Sequence, residues 1–175
     1  RDSQSPVEAA ALLQAQLDAL LPTPAPLLLG TGPLPKENRV GEGQLLIGEP
    51  DADQLAGLWA CWRQGTPFGP GTGRHQELRA WYLPLRGRKA SHGAALLILP
   101  DALHPDPELR AHAQSLCDQM GLALERQAAE QAARIAHDQA EGQATRNALL
   151  AAISHDYRTP LATIMGAASS LLDQG

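Results

Sequence analysis

Cysteine is scarce in this chain, only Cys61 and Cys117, too few and too far apart for a disulfide framework or a zinc site. Both stand in apolar helical contexts, which predicts buried free thiols. No apolar run approaches the roughly 20 residues that a membrane helix needs; the longest candidates are Pro26 to Gly30 and Ala94 to Pro100, so the piece is expected to be soluble. There is no basic surplus either. A net charge of -5 argues against non-specific nucleic-acid binding, which needs a basic face, and no direct nucleic-acid partner is expected. Lysine occurs only at Lys36 and Lys89, a bias that speaks of a GC-rich coding sequence rather than of function. Arg1 opens a polar segment instead of a basic stretch followed by an apolar one, which suggests an internal cut in place of a signal peptide. At 175 residues the chain has room for one domain with a substantial core and an extension.

What is present begins with a capping box: Ser5 as N-cap, Pro6 at the first helical position and Glu8 three residues on. A helix is predicted to run to Leu21 on Leu13, Leu17, Leu20 and Leu21, ended by Pro22 and Pro24. Pro26 to Leu29 and Gln44 to Ile47 follow as strands. Asp51 and Gln54 cap a second helix whose stripe Leu55, Leu58, Trp59 and Trp62 belongs in a core, and Gly65 stops it. Residues Gly65 to His75 carry repeated glycines and are expected to form a mobile flap. No Lys-Ser/Thr pair follows those glycines, so a phosphate loop is set aside.

Arg79 to Leu85 and Ala94 to Leu99 are the clearest strands, the second apolar on both faces as a central strand would be. A basic turn, Arg86 to Gly93, joins them. Asp106 and Pro107 start a last helix with Leu109, Leu116, Met120 and Leu124 toward the sheet. Asp101, His104, Asp106 and Glu108 cluster there, but Pro105 and Pro107 make a turn and helix cap the simpler reading than a metal site. From Glu125 to Gly142 large apolar residues nearly vanish, apart from Ile135, and an exposed connecting helix is predicted. A seam returns at Leu149, Ile153, Ile164 and Leu171, of the kind that buries itself against partner helices.

Ser154-His155-Asp156-Tyr157-Arg158-Thr159-Pro160-Leu161 is the most specific string. A histidine that takes a phosphoryl group must present one neutral ring nitrogen while an acceptor fixes the other. Asp156 is the candidate acceptor. Helical spacing places Thr159 one turn from His155, where a hydroxyl can hold a water, and Pro160 removes a backbone donor and is expected to bend the helix.

This string, with Asn147 to Ile153 before it and Leu161 to Ile164 after it, resembles the H-box of sensor histidine kinases. Tyr157 departs from the family pattern, where a leucine or similar aliphatic is usual. The resemblance implies that His155 is the phosphoacceptor, that Asp156 polarises it, and that Thr159 orients the water that dephosphorylates the response regulator. Tyr82-Leu83-Pro84-Leu85, the basic turn, Gly93 and the apolar strand after it resemble the late strands of GAF domains. The order of elements is most similar to the cytoplasmic half of Kdp-type, potassium-responsive sensor kinases.

On that resemblance the expected fold class is α+β. Residues 1-126 form a GAF-like antiparallel sheet with flanking helices, 127-143 a connecting helix, and 144-175 the first helix of a truncated dimerisation and phosphoacceptor bundle. The resemblance further implies a bacterial inner-membrane parent, a homodimer through the phosphoacceptor helices and a response-regulator receiver domain as partner. ATP and Mg would be bound by a catalytic domain absent from this piece, which alone would be inactive. Two other functions stay open: a regulatory module holding a small ligand near His75, Trp81 and the glycine-rich loop, or a ligand-free dimer spacer.

Overall fold

The computed structural model describes the backbone of residues 5–101 and 104–173, with side chains through Gly166. Helix α1 (Pro6–Asp18) starts on the expected box: Glu8 N donates to Ser5 Oγ and Ser5 N to Glu8 Oε2, each at 3.2 Å. It ends earlier than Leu21 because the chain already turns at Asp18, whose carboxylate accepts the Ala25 N–H at 2.7 Å. Pro22 also disfavours helical backbone in the residue before it. Leu21 nevertheless remains buried.

Strands β1 (Leu27–Gly30), β2 (Gln44–Ile47), β3 (Ala80–Arg86) and β4 (Ser91–Ile98) form one antiparallel sheet in the order β2-β1-β4-β3. β4 is central, as its apolarity on both faces predicts. β1 starts one residue later than the sequence suggests: Pro26 has no N–H to donate, and only its carbonyl joins the sheet, accepting Leu96 N at 2.9 Å. Alternation along the strands supplies two cores. Leu27, Leu29, Trp81, Leu83, Leu85, Ala95 and Leu97 face α1 and the start of α3 (Pro107–Asp173), where Ala113, Cys117, Met120 and Leu124 are buried with them.

The other face carries Leu28, Tyr82, Ala94 and Leu96, covered by Leu58, Trp59, Cys61 and Trp62 of α2 (Ala52–Gln64). The architecture is therefore α+β, an antiparallel sheet between helices, with a long C-terminal helix. Trp59 and Trp62 stack with centroids 5.2 Å apart, a geometry worth about 1 kcal/mol beyond the area it buries. α2 keeps its Asp51–Gln54 box and ends on Gly65 in the left-handed region, φ 65°, which glycine enters without a Cβ penalty. Both cysteines are buried and free, one in each core. Burial disfavours their thiolates and pushes Cys117 up to about 12.

The glycine-rich loop is not the free flap expected. Phe68 and Tyr82 exchange both backbone hydrogen bonds, Gly69 N donates to Arg74 O at 2.8 Å, and Trp81 Nε1 donates to Pro70 O at 2.9 Å. The glycines serve a tight, hydrogen-bonded turn laid along β3. The chain divides into two units, Arg1–Ala129 and Glu130–Gly175. In the second, every described residue from Glu130 to Gly166 is exposed.

Candidate phosphoacceptor site

His155, Asp156 and Thr159 all lie on α3, and its helical backbone continues through Pro160. The imidazole and the carboxylate are more than four-fifths exposed, with His155 Nδ1 3.8 Å from Asp156 Oδ1. At that separation the two groups are neighbours without a hydrogen bond. Adjacent helical residues diverge by about 100° around the axis, so the two side chains leave the helix in different directions. Nδ1 is the ring nitrogen that stands near the acid.

Thr159 sits one turn on, as spacing predicts, but its hydroxyl donates to the His155 carbonyl at 3.3 Å. Thr163 repeats the pattern toward Thr159 O at 3.0 Å. The Thr159 hydroxyl thus offers solvent its lone pairs instead of its hydrogen. Pro160 has no N–H, so the Asp156 carbonyl lacks its usual helical donor. Of the seam, Leu149, Ile153 and Ile164 are exposed at 60%, 41% and 63%, while the Leu171 side chain lies outside the described residues. Tyr157 is exposed as well.

Of the residues suggested for a ligand pocket, Trp81 is enclosed in the core while His75 is exposed. The His75 ring stands edge-on to Phe68 with centroids 4.9 Å apart. Among the described residues no three His, Cys, Asp or Glu side chains gather as metal ligands.

One cluster escaped sequence reasoning. Glu125 is not a free residue of the connecting segment: its carboxylate accepts Arg88 N at 2.9 Å and Lys89 N at 3.1 Å, and contacts His92 Nε2 at 3.1 Å. Because the carboxylate can only accept, His92 carries its hydrogen on Nε2 in this contact. The hydrogen bond from His92, followed by those from the two backbone N–H groups, holds Glu125 down to about 2. Arg86 is clamped similarly, with both Asp118 oxygens at 2.8 and 2.7 Å. These contacts fasten the β3–β4 turn to α3 across more than thirty residues of sequence, a distance no local pattern spans.

Residues 145–175 match the His Kinase A (phospho-acceptor) domain. The chain is 34% identical over 124 residues to the Sensor protein KdpD of Escherichia coli, covering 68% of this chain and 13% of that protein. With the Sensor protein KdpD of Clostridium acetobutylicum it shares 28% over 123 residues, 70% of this chain and 14% of that one. It thus spans about one seventh of the length of these relatives. Among solved structures, the native GAF domain of the potassium sensor histidine kinase KdpD from Escherichia coli superposes with a TM-score of 0.56 at 21% identity, covering 74% of this chain and 88% of that domain; at that identity the likeness bears on the fold. The phosphoacceptor match, the sensor-protein relatives and the shared fold together support a Kdp-type sensor histidine kinase, with a GAF-like domain followed by the start of the phosphoacceptor domain.

Proposed function

We propose that the chain relays a signal from its GAF-like domain, residues 1-126, through the connecting segment 127-143 to His155 in 144-175, the phosphoacceptor of a two-component sensor kinase. The observation that carries this reading is an exposed imidazole inside the phosphoacceptor match, with a carboxylate beside Nδ1. Asp156 favours the tautomer with hydrogen on Nδ1, which leaves the Nε2 lone pair free to attack the γ-phosphorus of ATP. The N–P bond forms as the bond to the bridging oxygen breaks, and ADP leaves with that electron pair. A response-regulator aspartate then attacks the same phosphorus and the N–P bond breaks. Thr159, offering lone pairs one turn away, is suited to hold the water that later hydrolyses the aspartyl phosphate.

ATP and Mg would be supplied by a separate catalytic domain, since phosphoryl transfer depends on positioning and charge neutralisation around the nucleotide. The exposed Leu149, Ile153 and Ile164 suit a homodimeric helical bundle, and the receiver domain of a response regulator would dock beside His155. No helix among the described residues is long and apolar enough to cross a membrane, which accords with a cytoplasmic portion of a membrane-anchored kinase. The test is to mix the chain with the ATP-binding domain of a Kdp-type kinase and labelled Mg-ATP. Wild type should take up label and His155→Gln should not; equal labelling of both would end the assignment.

A further inference from the structure

We propose that the GAF-like unit carries a binding site for a small organic phosphate, in the cleft between the β3–β4 turn, the end of α2 and the segment after β1. The cleft has a volume of about 460 Å³, and Arg63, Arg86, Arg88 and Lys89 line it while no Asp or Glu does. In a chain with 19 acidic and 14 Lys plus Arg residues, that is a marked segregation of charge. Arg86 is neutralised by Asp118, but Arg63, Arg88 and Lys89 have no acidic side-chain partner among the described residues.

Arg63 is also held in place. Its Nε donates to Asn38 Oδ1 and one Nη to Pro35 O, both at 2.7 Å. These neutral acceptors orient the guanidinium and leave its charge uncompensated. Arg88 and Lys89 ride on a turn fixed by the Glu125 carboxylate through their backbone N–H groups, so their side chains remain available. The C-terminal end of α2 brings Gln64 and Gly65 to the wall, about half a negative charge from the helix dipole. Three cations outweigh that half charge and the Glu125 carboxylate behind the turn together.

Charge and size select the ligand class. A phosphate monoester carries about -1.5 to -2 charges near neutral pH and presents three acceptor oxygens, matching several cations where a single carboxylate would not. The cleft is far larger than inorganic phosphate requires and lies in the range of small-molecule sites. Pro33, Leu34 and Trp62 give one wall an apolar surface for the organic body. This site is separate from the loop around His75 and Trp81 and independent of the His155 assignment.

Calorimetric titration of the chain with AMP, adenosine and inorganic pyrophosphate tests it. AMP should bind, and adenosine should bind at least about tenfold more weakly, the loss expected for hydrogen bonds to a charged group. Pyrophosphate, lacking the organic body, should also bind more weakly than AMP. R88Q/K89Q keeps the backbone contacts to Glu125 and should weaken AMP by about tenfold or more, whereas R134Q/R146Q removes equal charge elsewhere and should change nothing. Leu34→Asp, at an exposed wall position, should abolish AMP binding without unfolding the protein. The proposal is overturned if AMP does not bind at about 10 mM, a very weak limit on the affinity scale, or binds no better than adenosine or pyrophosphate. It is equally overturned if both double variants weaken AMP alike or Leu34→Asp leaves binding intact.

Discussion

The same substitution at two glycines of α3 should have opposite consequences. In a helix interior, glycine to alanine gains about 1 kcal/mol from backbone entropy. At Gly121, however, an added Cβ would lie 2.6 Å from the Arg86 backbone nitrogen and 2.5 Å from its carbonyl carbon. Those atoms belong to β3 and cannot rotate away as a side chain could, so overpacking should reach the upper end of its usual range, about 3 kcal/mol. Net destabilisation of Gly121→Ala is then about 2 kcal/mol. At Gly142 nothing lies within 4 Å of the added Cβ, and only the helical gain remains. Urea unfolding followed by tryptophan emission reports the first unit, which holds Trp59, Trp62 and Trp81. Gly121→Ala should lower the midpoint by about 1 M, while Gly142→Ala should leave it unchanged and raise helicity by circular dichroism. A Gly121→Ala midpoint equal to or above wild type would refute the close approach of α3 to β3.

Three further outcomes follow from the described contacts. Glu125 is held down to about 2 in the folded protein, so its contribution is fully present above the unfolded carboxyl value of about 4.3 and is lost as pH falls toward about 2. Wild type should therefore lose more stability than Glu125→Gln on acidification through that window, and parallel unfolding curves would contradict the clamp. The exposed Leu149, Ile153 and Ile164 should drive self-association: sedimentation should give the whole chain a larger mass relative to its monomer than a chain ending at Arg126, and equal ratios would remove the seam from assembly. In a whole kinase, Asp156→Asn should depress autophosphorylation by about tenfold or more, while Thr159→Ala should slow dephosphorylation of the regulator. Equal impairment of both activities by each substitution would undo that division of labour.

The fold was legible wherever a local rule carried it. Ser5 and Glu8, Asp51 and Gln54, and Gly65 mark helix ends through contacts a few residues long, and the two-sided apolarity of 94–97 marks a central strand. The glycine-rich loop misled because repeated glycine signals permitted backbone angles, not freedom; its order comes from Phe68 and Trp81 pairing with partners outside a local window. Glu125 was illegible for the same reason, since its partners lie 33 to 37 residues away. His155 and its neighbours were found as a string, but the 3.8 Å gap to Asp156 and the engagement of the Thr159 hydroxyl depend on rotamers that spacing does not set.

The position of the phosphoryl group tests the account most directly. After labelling by a Kdp-type ATP-binding domain and Mg-ATP, mass spectrometry under alkaline conditions should locate the phosphate on His155, and brief acid treatment should remove it, as expected for an N–P bond. An acid-stable phosphate on Ser154, Tyr157 or Thr159, or label on any histidine other than His155, would contradict the central claim.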